Sequence, residues 1–225
     1  MRKRLESCGL GFILVGLLAL GFLFSGCPLG MVLTPDYVKV PAEYNLEKNP
    51  GPTAIVPLRE EELGYFRSNR GKRVADALRT ELRKQIPSLD VIPAGKVEEV
   101  ARKVNPDEEN WPLLLETLPA RYLLVGEVLE YRPRDLDAPH PLQSTLIVRV
   151  TLRDSNLGGD EVWSSRITSH FPPKKHLTGA TATVGGMTWE EIESGLAKEV
   201  AVQIVNSLHD RRVYRWEKEG RLSVE

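Results

Sequence analysis

The sequence predicts an α/β (α+β) domain: a mixed sheet with helices packed on it, ordered β-α-β-α-β-β-β-α, behind a signal peptide and an extended tether. Three observations predict it. Short apolar runs suited to strands alternate with stretches whose apolar residues recur every three or four positions. Two long segments late in the chain flank Asn156-Leu157-Gly158-Gly159-Asp160, turn chemistry that closes a hairpin. The first 26 of 225 residues have the makeup of targeting sequence. What remains is roughly 200 residues, one ordinary domain plus a tether.

The targeting segment opens on Arg2, Lys3 and Arg4, and residues 9–24 then carry no charge. That run suits a signal-peptide apolar region and is shorter than the ~20 residues of a spanning helix. It ends in Leu23-Phe24-Ser25-Gly26-Cys27, where small side chains at Ser25 and Gly26 give a peptidase access to the backbone. The junction resembles the lipobox of bacterial lipoproteins, with Phe24 where Leu is usual. The resemblance implies cleavage between Gly26 and Cys27 and a diacylglycerol thioether on Cys27, with further acyl chains such as palmitate. Acyl chains contribute about 0.8 kcal/mol per buried methylene, so two or three of them anchor a protein essentially permanently. The other of the two cysteines, Cys8, leaves with the signal, so the mature chain has no partner for a disulfide. Pro28 rather than Asp after the cysteine favours the outer membrane by analogy with enterobacterial sorting.

Residues 27–52 form the expected tether, with Pro28, Pro35, Pro41, Pro50 and Pro52 and little periodicity. The stretch 37–40 could dock on the domain, which spans 53–210. Its first strand is Thr53-Ala54-Ile55-Val56-Pro57-Leu58, followed by a polar loop over 59–69. Val74, Leu78, Leu82 and Ile86 make a helix stripe that Pro87 stops. Leu89-Asp90-Val91-Ile92 is a second short strand. Val97, Val100, Ala101 and Val104 make a second helix ended by Asn105-Pro106, and Trp111, Leu114, Leu115 and Leu118 a further one before Pro119. Residues 122–131, the most apolar stretch of the mature chain, are a central strand. The next strand puts Leu146, Val148, Val150 and Leu152 on one face, with Thr145, Arg149, Thr151 and Arg153 on the other. Residues 161–171 return with Trp163, Ile167 and Phe171 on one side. Thr188 with Glu191 is a capping box for a last helix, whose stripe is Ile192, Leu196, Val200, Ile204 and Leu208. A tail over 211–225 interleaves cations and aromatics.

A net charge of −1 argues against a nucleic-acid partner, which would demand a basic excess. No Gly-x-Ser-x-Gly elbow occurs, and lipid occupies the one mature cysteine, so the sequence predicts no catalytic residue and no enzyme. The four histidines, His140, His170, His176 and His209, are scattered over different elements, so no metal site is expected. Gly71-Lys72 follows a strand and opens a helix, yet Phe66 and Arg73 occupy the glycine and hydroxyl positions of a phosphate loop, so nucleotide binding there is rejected. Asp135 and Asp137 read as a solvated loop. No cofactor is expected beyond the covalent lipid. Arg67, Arg70, Lys72 and Arg73 gather at a helix start, where cations oppose the dipole. They and the tail residues Tyr214 and Trp216 are the candidate partner or anionic surface.

The order of elements resembles the small α/β domain of several envelope lipoproteins and exported proteins: the TolB amino-terminal domain, CsgG, PelC and LpoB. The matching pieces are the 54–58 strand, the 74–82 helix, the 89–93 strand, Ala120-Arg121-Tyr122-Leu123-Leu124-Val125-Gly126 and the closing hairpin, with Arg121 where an acid is common. The resemblance covers residues 53–209. It implies a periplasm-facing, lipid-anchored accessory or adaptor in envelope assembly, secretion or polymer export, with an envelope protein or polymer as partner. Self-association is left open. The alternatives are an LptE-like lipopolysaccharide-assembly lipoprotein and a subunit of an oligomeric secretion ring. LptE lacks the helical insert that residues 96–118 supply, and residues 172–187 offer no strand pair for a channel.

Overall fold

The computed structural model describes residues 37–60, 69–104, 110–133, 143–172 and 187–214. Gly26, Cys27, Arg67, Trp216, Asp135, Asp137, His140 and His176 lie outside the described residues.

The elements are β1 (Tyr37–Val40), β2 (Thr53–Ile55), β3 (Arg59–Glu60), α1 (Asn69–Gln85), α2 (Ala94–Val104), α3 (Trp111–Thr117), β4 (Tyr122–Arg132), β5 (Ser144–Asp154), β6 (Asp160–Phe171), α4 (Trp189–Leu208) and β7 (Arg211–Tyr214). The mixed sheet has the order β2-β4-β5-β6. β2 runs parallel to the start of β4, Thr53 opposite Tyr122, and β3 pairs parallel farther along the same edge, Arg59 opposite Glu127. A parallel pair needs a long crossover, and α1, α2 and α3 supply it. β4, β5 and β6 are antiparallel neighbours. Gly158 and Gly159 adopt φ of 71° and 88° in the turn between β5 and β6, a conformation that costs other residues strain.

Each face of the sheet meets its own core. Ile55, Leu124, Val148, Val150 and Leu152 pack beneath the stripes of α1 and α4, and Leu78, Leu82, Val200 and Ile204 are fully buried there. On the opposite face Ala54, Leu123 and Val125 meet Val97 and Ala101 of α2 and Trp111 and Leu114 of α3. Thr188 and Glu191 cap α4 reciprocally, satisfying two amides at its start.

The expected second strand shrinks to one bridge, Val91 beside Thr53. Pro93 has no N–H to extend the ladder, and α2 begins at the next residue. The expected polar loop after the first strand begins instead with β3. The end of the expected tether is folded chain: Glu43 and Tyr44 amides donate to the Ser207 carbonyl (2.9 and 3.1 Å) and the Leu46 amide to that of Leu208 (3.0 Å). These bonds satisfy carbonyls at the end of α4 that the helix itself leaves open. Leu46 is fully buried, which a stretch without periodicity does not announce.

The chain divides into two compact units, one spanning 40–211 and the other pairing 1–39 with 212–225. In the smaller unit the Tyr37 hydroxyl donates to the Tyr214 hydroxyl at 3.0 Å, and the two rings lie 4.6 Å apart.

Candidate functional site

Helix coverage is unequal on the two faces of the sheet. α1 and α4 have 17 and 20 residues, whereas α2 and α3 have 11 and 7. The short pair covers β2 and the start of β4, and its cluster includes no residue of β5 or β6. The alternation of β5 then decides what that open half displays: Val148, Val150 and Leu152 point into the core, so Arg149, Thr151 and Arg153 point outward.

Strand register assembles these side chains into cross-strand rungs. One rung runs Arg59, Glu127, Arg149, Arg166 across β3, β4, β5 and β6. The next runs Val125, Thr151, Ser164, with the two hydroxyls 3.2 Å apart. Between this face and α3 lies an open groove of about 220 Å³, lined by Arg59, Trp111, Val125, Arg149 and Arg153 among others.

The groove is rich in donors. Arg149 donates to Glu127 at 2.9 Å, the one ion pair of the rung among the described residues. Arg153 donates from Nη1 to the Gly159 carbonyl at 2.9 Å, and its guanidinium stands 6.0 Å above the Trp111 ring. Arg153 Nε and Trp111 Nε1 are buried N–H groups with no acceptor, and Trp111 is only 4% exposed. A buried donor without a partner carries a desolvation cost that most native groups avoid.

The basic residues singled out from sequence meet carboxylates of the fold. Arg70 pairs with Glu60 (2.5 Å) and Glu193 (3.2 Å), and its guanidinium lies 4.1 Å over the Tyr131 ring. Arg73 reaches Glu190 (3.2 Å) and Glu193 (3.7 Å), and Lys72 pairs with Glu98 and Asp76. Thus three cations that oppose the α1 dipole face acids from β3, α2, α4 and α1 itself. Burial raises the Tyr131 phenol above its ordinary value, Glu193 adds to this, and Arg70 opposes it. Tyr214 is 39% exposed in the smaller unit.

Two more charged residues are structural. Arg79, 4% exposed, donates to Asp76 at 2.7 Å and to the Ile55 carbonyl at 2.5 Å. Burial pulls its guanidinium below the ordinary value, with Asp76 acting the other way. Arg121 pairs with buried Asp154 at 3.3 Å, so its acid comes from the end of β5.

His170 Nδ1 lies 3.0 Å from Thr145 Oγ1, and His209 Nδ1 lies 2.9 Å from the Asp210 carbonyl. Among the described residues no three His, Cys, Asp or Glu side chains gather as a metal would need, and no helix is long and apolar enough to cross a membrane.

The sheet-face groove is the feature that the sequence did not single out. Its signal was present in the Arg149, Thr151, Arg153 alternation. Periodicity separates two faces of a strand but does not say which one a helix covers.

Among solved structures, the chain is similar to a hypothetical protein from Chlamydia trachomatis, at 19% identity over 69% of this chain and 94% of that one, with a TM-score of 0.47. It is also similar to the PelC dodecamer from Paraburkholderia phytofirmans, at 18% identity over 77% and 98%, TM-score 0.41. A lipoprotein from Neisseria meningitidis is similar at 22% identity over 71% and 99%, TM-score 0.40. No family model matches the chain, and neither does any curated protein.

Proposed function

We propose that this chain is a lipid-anchored, periplasm-facing lipoprotein of the bacterial envelope, held on the outer membrane through Cys27. Its domain acts as a non-enzymatic accessory that holds an envelope protein or polymer. The observation that carries the reading is the half-covered sheet: among the described residues, helices leave most of the outer face of β5 and β6 uncovered, and arginines, hydroxyls and a buried indole line it. Burying an unpartnered donor and setting like charges abreast both cost stability, and a bound partner offsets both. The Ser25-Gly26-Cys27 junction supports the anchor, since lipid there fixes the domain at a surface and raises its local concentration near a partner. The tail beginning near Tyr214, with Trp216, supplies a second contact.

The test has two parts. Mass spectrometry of the mature amino terminus should find acylated Cys27, and Cys27→Ala should leave the protein soluble or uncleaved; an unmodified Cys27 removes the anchor. A photo-reactive phenylalanine at Ser164, in the open face, should capture one defined envelope component, whereas the same probe at Lys198 on α4 should not. Equal labelling from both positions would mean that the open face is not the binding surface.

A further inference from the structure

We propose that the open sheet face is a carboxylate-binding site, built to take the acidic end or acidic side chain of a peptide. The inference rests on the accessory reading and adds the chemistry of what is bound.

Four observations on separate side chains carry it. Arg149 and Arg166 stand directly opposite each other in the β5–β6 register, where like charges destabilise a sheet. Arg59 lies in the same rung across Glu127, and neither Arg59 nor Arg166 forms an ion pair with another described residue. Arg153 uses Nη1 on Gly159 and keeps a buried Nε without an acceptor. Trp111, at 4% exposure, lines the same groove, and its buried indole N–H also lacks an acceptor. The face therefore offers forked guanidinium donors beside a buried indole, and a planar carboxylate satisfies such guanidinium donors with charge-assisted bonds.

Size and charge narrow the class. The groove of about 220 Å³ falls below the range typical of drug-sized ligands, so it suits one side chain or one chain end. Glu127 and Glu161 share the face and would repel the second charge of a phosphate dianion, whereas a carboxylate brings a single charge. Val125 and the Trp111 ring give the carbon skeleton of an organic acid an apolar wall.

The experiment uses the full mature lipidated chain in zwitterionic nanodiscs, with its tryptophans labelled at the indole nitrogen. Trp111→Phe assigns the Trp111 resonance. Acetyl-Ala-Glu-amide, whose one carboxylate is the Glu side chain, the corresponding diamide acetyl-Ala-Gln-amide and inorganic phosphate are titrated separately. The acid should shift the Trp111 indole resonance, through the charge it brings beside the ring, and saturate, and the diamide should leave it in place. Phosphate should bind at least about tenfold more weakly, the loss expected when charge and planar fit are both wrong. Arg59→Gln, at an exposed position lining the groove, should weaken the acid by roughly three- to tenfold, and Arg166→Gln, in the same rung but outside the groove lining, by less. A stationary Trp111 resonance at tens of millimolar acid, an equal response to the diamide, or phosphate binding as tight as the acid would each overturn the proposal. Capture of an envelope component from Ser164 with no response to the acid would sink the carboxylate chemistry and leave the accessory role standing.

Discussion

A β-carbon built on Gly71 would stand 2.0 Å from the Leu58 carbonyl oxygen and 2.9 Å from its carbon. The glycine exists because α1 begins against the chain between β2 and β3, and the Leu58 amide donates back to the Gly71 carbonyl at 3.3 Å. The residue that resembled part of a phosphate loop is thus a close-packing glycine. Gly71→Ala should cost about 1–3 kcal/mol, the range for overpacking a rigid site, read as a lower urea midpoint for the full chain. Arg70 belongs to the same argument about charge. Its partners Glu60 and Glu193 are half-buried, and Arg73 still reaches Glu193, so Arg70→Ala leaves Glu60 without its counter-ion and should cost about 1–3 kcal/mol. If Arg70→Ala unfolds at the parent midpoint, those ion pairs contribute nothing to the fold.

α4 is the element whose sequence pattern and structure agree most fully. Ile192, Leu196, Val200, Ile204 and Leu208 are each at most 1% exposed, as a stripe of that spacing demands when it faces a core. Leu196→Asp would bury an unpaired charge and should cost several kcal/mol, enough to melt the domain well below the parent by circular dichroism. Thr188→Ala removes one half of the capping box and should cost about 1 kcal/mol, visible as a small drop in the same melt. The other end of α4 behaves differently. Its last carbonyls are met by residues 43–46, far away in sequence, and Leu46 goes to the core with them. Leu46→Ala should therefore cost about 2–5 kcal/mol, as a buried leucine does and a tether residue does not. An unchanged midpoint would return residues 43–46 to the tether.

At the scale of the whole molecule, the described residues cover one face of the sheet with two long helices and the other only in part, and the open part is where binding is proposed. Element types and their order were legible in the sequence, because hydrophobic period and turn chemistry are local: the stripe of α4, the Gly158-Gly159 turn and the alternation of β5 depend only on near neighbours. The strand at 89–92 was overestimated for a local reason of its own, since Pro93 removes the donor that a longer ladder needs. What tertiary structure alone decided depends on residues brought together from afar. Register set Arg59, Glu127, Arg149 and Arg166 in one rung, helix length left that rung uncovered, and α4 brought Glu190 and Glu193 to the cations of α1. A charge read along the chain has no known partner, because its counter-ion is chosen by packing over distances of tens of residues; the same packing determines which arginines remain available to a ligand.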